Sequence, residues 1–96
     1  MSKLDEIKSK RQQIIDLGRQ YGAIKIRIFG SVARGESGPQ SDIDILVNLE
    51  PGRSALELGG LLMDLQDLLG CQVDIVTEKG LNQHIKDQVL QEAVDL

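Results

Sequence analysis

Asp42-Ile43-Asp44 is the densest piece of chemistry in the chain. On a strand, residues i and i+2 point to one side with Cα atoms roughly 6.5–7 Å apart, so both carboxylates can reach one cation. Magnesium takes hard oxygen ligands, commonly one or two carboxylates together with substrate phosphates and water, which makes the pair a suitable half-site. A solvent-facing acidic strand is the bland alternative. Against it, aspartate is depleted in strands, and like charges on one face repel. Asp74 repeats the pattern within Val73-Asp74-Ile75-Val76. If its strand lies beside that of Asp42 and Asp44, three carboxylates converge, as two-metal catalysis with ions about 3.5–4 Å apart requires. Gly30-Ser31, at the end of an alternating run, suits phosphate, because backbone N–H groups opening a helical turn with no Cβ in the way bind anions well. Ser31 offers a hydroxyl as well as its N–H, and Arg34 stands close by as a cation. Taken alone, a Gly-Ser after a strand reads more readily as an ordinary turn with a capping serine.

The elements that must position these residues follow from periodicity. Leu4 to Tyr21 carries Leu4, Ile7, Ile14, Ile15 and Leu17 among Lys, Arg and Gln, the pattern of one amphipathic helix, with Ser2 and Asp5 as a weak capping box. Ile24 to Phe29 alternates, with Ile24, Ile26 and Ile28 expected inward, and Gly30 stops the strand. Asp42 to Val47 alternates again, with Ile43, Ile45 and Val47 inward and the two acids outward. Ser54-Ala55-Leu56-Glu57 has the capping-box pattern. The helix it opens runs through Leu58, Leu61, Leu62, Leu65, Leu68 and Leu69 to Gly70. Gln72 to Val76 reads as a third strand, and Asn82 to Val94 as a last helix offering Ile85, Val89, Leu90, Ala93 and Val94 to the core. This order predicts an α+β fold, a small mixed sheet with helices packed on one face and the other face partly open.

Composition sets limits. Ninety-six residues suit one domain, 1–96, whose function lies near its surface. Pro39 and Pro51 punctuate loops and do not divide domains. Eleven basic against fifteen acidic side chains leave a net charge of −4, the wrong sign for nucleic acid as a direct partner. Cys71 is the only cysteine, which excludes an internal disulfide and is expected to pack as a small hydrophobe. Met1 to Arg11 lacks the apolar run of a signal peptide, and no stretch approaches the roughly 20 apolar residues of a membrane span. A cytoplasmic setting is expected. His84, early in the last helix, has no evident partner and reads as a surface residue. With Tyr21 and Phe29 the only aromatics, little is available for an adenine ring to stack on.

Together, Ile28-Phe29-Gly30-Ser31-Val32-Ala33-Arg34-Gly35, the ten residues between Ser31 and Asp42, Ser41-Asp42-Ile43-Asp44-Ile45-Leu46-Val47 and Val73-Asp74-Ile75-Val76 resemble the signature of the minimal nucleotidyltransferases, members of the DNA polymerase beta-like superfamily. Ile85 to Val94 resembles the closing helix of that family, so the likeness covers nearly the whole chain. It implies the polymerase beta-like fold, with Gly30 and Ser31 holding the β- and γ-phosphates of ATP and Asp42 and Asp44 binding two Mg2+ ions. Asp74 would bind the second ion and assist deprotonation of the acceptor. The reaction implied is in-line attack on the α-phosphate with loss of pyrophosphate. The resemblance further implies the antitoxin of a toxin–antitoxin pair, which transfers AMP to a tyrosine of a HEPN-domain toxin (AMPylation). An antitoxin that neutralises the HEPN protein by binding alone is the alternative.

Overall fold

The computed structural model describes residues 2–36, 38 and 41–96; Pro39, one of the two punctuating prolines, lies outside them. Along the chain run α1 (Lys3–Ser9), α2 (Arg11–Gln20), β1 (Ala23–Phe29), α3 (Gly30–Arg34), β2 (Ile43–Leu49), α4 (Ala55–Leu69), β3 (Val73–Thr77), α5 (Gln83–Glu92) and β4 (Val94–Asp95). The strands form one sheet in the order β3-β2-β1-β4. β2 and β3 are parallel, and β1 is antiparallel to both of its neighbours. A parallel pair needs a crossover, which α4 provides. The mixed sheet expected from the element order is therefore present, with an edge strand added.

The core lies against the face bearing Ile26 and Ile28 of β1, Ile43, Ile45 and Val47 of β2, and Val73 of β3. Ile7 of α1, Ile14 of α2, Val32 of α3, and Leu61 and Leu65 of α4 close it. Cys71 packs at its margin, as expected. Close approach is arranged by two helical glycines. A Cβ on Gly18 would run into Ile26 Cδ1, and one on Gly60 would lie 2.5 Å from the Tyr21 ring. The Tyr21 hydroxyl then donates to Asp64 Oδ2 at 2.6 Å, tying α2 to α4. Leu46 and Val89 are buried outside this cluster.

Four expectations need correction. The first helix is two: Lys10, at φ −105° and ψ 17°, ends α1 and begins α2. Its ammonium donates to the carbonyl of Leu68 at 3.0 Å, in the last turn of α4, a tertiary bond at the negative end of a helix dipole. Ile24 faces solvent at 66% exposure, because the β1–β2 register shifts between Ala23 and Lys25. The extra residue of this bulge moves the inward position to Ala23. At α4, Ser54 Oγ accepts from the Leu56 N–H at 3.3 Å, but Glu57 bonds Arg53 at 3.4 Å and does not complete a capping box; the reciprocal box forms instead at Ser2 and Asp5. Finally, α5 stops at Glu92, and Val94–Asp95 leave it to pair with Ile28 and Arg27 of β1. Ile85 is 49% exposed, and Val89 is the only fully buried residue of α5.

Candidate functional site

Alternation along β2 sends Ile43, Ile45 and Val47 into the core and leaves Asp44 on the opposite face. The parallel register sets Asp44 directly beside Asp74, and the antiparallel one sets it beside Phe29, the last residue before Gly30. Adjacent strands lie roughly 4.8 Å apart, so the acids of β2 and β3 are nearest neighbours on one face. Asp42 precedes β2 by one residue and is exposed.

α3 follows β1 without a linker. Gly30 has φ +74°, a conformation that costs little only without a side chain, and a Cβ there would collide with Asp44 Oδ2. Position 30 is thus glycine for two reasons, its backbone angle and the carboxylate beside it. Val32 anchors the short helix in the core, and Gly35, at φ +75°, ends it.

The Asp44 carboxyl feels the charges around it. Burial raises its carboxyl above the ordinary aspartate range, Asp74 and Asp42 raise it further, Arg34 opposes them, and Glu92 adds to the rise. A carboxylate that is costly to ionise among other carboxylates is matched by a hard divalent cation, and the donor set is all oxygen, as magnesium prefers. Among the described residues, no three His, Cys, Asp or Glu side chains already stand at metal-ligand spacing.

Arg34 lies on the same side of the molecule, where its guanidinium donates to Glu36 at 3.0 Å and to Glu92 at 3.0 and 3.2 Å. Its pKa is raised by Glu36 first and then by Glu92. Glu92 was not anticipated. It also accepts from the Gly30 N–H at 3.3 Å. A glutamate at the end of an amphipathic helix carries no spacing signal, and only the tertiary path of α5 brings it here. His84 is exposed, as expected of a surface residue.

Asp42 and Asp74 are exposed, and Asp44 is half-buried. A cavity of about 350 Å³ lies elsewhere, where the C-terminal ends of β2 and β3 meet the start of α4, lined by Asn48, Arg53, Ser54 and Lys79 among others.

The family model of the nucleotidyltransferase domain matches residues 7–96. The chain is 40% identical over 79 residues to MntA of Thermococcus cleftensis, a protein adenylyltransferase, across 82% of this chain and 80% of the relative. A solved structure provisionally described as a minimal nucleotidyltransferase superposes with a TM-score of 0.88 at 44% identity, covering 100% of this chain and 97% of that one. A chain from a toxin–antitoxin complex crystallised with AMP-PNP matches with a TM-score of 0.75 at 27% identity, over 88% of this chain and 69% of its own.

Proposed function

The chain belongs to the nucleotidyltransferase family, and from that premise we propose that it is a magnesium-dependent adenylyltransferase acting as an antitoxin, which moves AMP from ATP to a tyrosine hydroxyl of a HEPN-domain toxin. The observation that carries the chemistry is the register pairing of Asp44 with Asp74 beside the Cβ-free turn at Gly30. MntA, an adenylyltransferase, and the toxin–antitoxin complex with AMP-PNP support the nucleotide and the class of partner.

Asp42, Asp44 and Asp74 would hold the metal. An ion held by these carboxylates would supply positive charge against the triphosphate and lower the pKa of the attacking hydroxyl. Gly30 and Ser31 present backbone N–H groups and a hydroxyl to the β- and γ-phosphates, and Arg34 adds a guanidinium. Asp74, the outermost of the strand acids, takes part in removing the acceptor proton. The acceptor oxygen bonds to the α-phosphorus as the α–β anhydride bond breaks, and pyrophosphate leaves with the electron pair. What the residues contribute is positioning and charge, which dominates phosphoryl-transfer catalysis.

The test is label transfer from α-labelled ATP to a HEPN-domain toxin in the presence of magnesium. Labelled toxin, lost on Asp42→Asn or Asp44→Asn, is the expected result. Neutralisation of the toxin in cells that survives both substitutions would instead assign the protection to binding alone.

A further inference from the structure

Glu92 sits among the residues of this site without a part in the scheme above. Its Oε1 accepts from the Gly30 N–H at 3.3 Å and from Arg34 Nη1 at 3.2 Å, and its Oε2 accepts from the same guanidinium nitrogen at 3.0 Å. The side chain is held against the protein, only 19% exposed. A backbone amide and a guanidinium that converge on one oxygen are the donors a phosphate oxygen uses, and carboxylate and phosphate both bind them. A triphosphate placed on Gly30 and Arg34 would meet a like charge already in possession.

We propose that Glu92 is a built-in anion that occupies the Gly30 and Arg34 donors when no nucleotide is bound and is displaced by the incoming triphosphate. The proposal rests on the assignment of Gly30, Ser31 and Arg34 to the phosphates. Displacement requires little of the fold. Glu92 is the last residue of α5, Ala93 follows, and Val94–Asp95 are separately paired to β1, so rotation of one side chain suffices while the strand stays in place. Without nucleotide, the carboxylate keeps the Gly30 N–H satisfied and fixes Arg34, and it ties α5 to α3. When nucleotide binds, that tie is released, so the end of α5 registers the state of the site. The carboxylate also sets a threshold, because a singly charged anion gains little by exchanging with it, whereas a triphosphate brings further charge to Arg34 and the metal.

Titration calorimetry with AMP-PNP and magnesium tests this on wild type, Glu92→Gln and Glu92→Ala. Both variants are expected to bind roughly three- to tenfold more tightly, the scale of one partly exposed charged contact. Equal or weaker binding by both variants, with wild type binding, overturns the displacement and leaves the nucleotide assignment intact. No binding by any of the three proteins overturns both. A second measurement needs no variant: the side-chain carboxyl 13C resonance of Glu92 in the wild-type chain should move to the position of a free glutamate as AMP-PNP saturates the site. A resonance that stays where it was, even with tighter binding in the variants, would reduce Glu92 to a general repulsive charge and overturn the proposal.

Discussion

Burial, then Asp74 and Asp42, hold the Asp44 carboxyl above its ordinary range, so the folded chain keeps a proton there at a pH where the unfolded chain has lost it. With more protons bound in the folded state, stability falls as pH rises from the ordinary aspartate value, about 3.9, through the raised one. Asp44→Asn removes this slope. Without divalent ions, its melting temperature should exceed that of wild type at pH 7, with the gap closing toward pH 4, while nucleotidyl transfer falls about a hundred- to a thousandfold. A variant less stable than wild type at pH 7 would contradict the charge conflict. Gly30→Ala tests the same spot from the other side. Its Cβ meets Asp44 Oδ2 at a positive φ, so a loss of about 1–3 kcal/mol is expected in denaturant melts, together with loss of activity. The outward placement of Asp44 was legible from the strand period of two, whereas Asp42 stands one residue before β2, outside that period. The neighbourhood of Asp44 and Asp74 was legible only as a condition, since it depends on which strands adjoin. Glu92 was not legible, as its hydrogen bonds to Gly30 and Arg34 span 62 and 58 residues of sequence.

At the scale of elements, departures from periodicity have tertiary causes. Nothing in Ser9-Lys10-Arg11 announces a helix break, since no glycine or proline is present. The break is made where the Lys10 ammonium reaches the end of α4. Likewise, Ile24, Ile26 and Ile28 alternate perfectly in sequence, and the bulge that turns Ile24 outward is set by pairing with β2. Truncation separates the two faces. Ile26→Ala, at a site 7% exposed, should cost about 2–5 kcal/mol in a denaturant melt, whereas Ile24→Ala should stay within about 0.5 kcal/mol. Comparable losses at both positions would mean that β1 lacks the bulge in solution. The two-residue β4 escaped a periodic reading for a simpler reason, because Val94–Asp95 is too short to show a period and continues an apolar helical stripe.

For the molecule as a whole, a net charge of −4 means that any cation screens some repulsion, so a specific metal site has to be separated from general ionic strength. Linkage does so. A ligand that binds only the folded state stabilises it by RT ln(1 + [L]/Kd), about 1.4 kcal/mol at ten times Kd. For a chain of this size that is a rise in melting temperature of roughly 6–11 °C. Magnesium should produce such a rise in the wild-type protein, saturating with concentration, and sodium chloride at matched ionic strength should not. Asp44→Asn should start from a higher melting temperature and gain little from magnesium, because the group that is costly to leave charged without the metal would also be one of its ligands. If sodium chloride reproduced the magnesium effect, or Asp44→Asn retained it, the three aspartates would be an acidic surface, and the transfer chemistry would need another source of positive charge on the triphosphate.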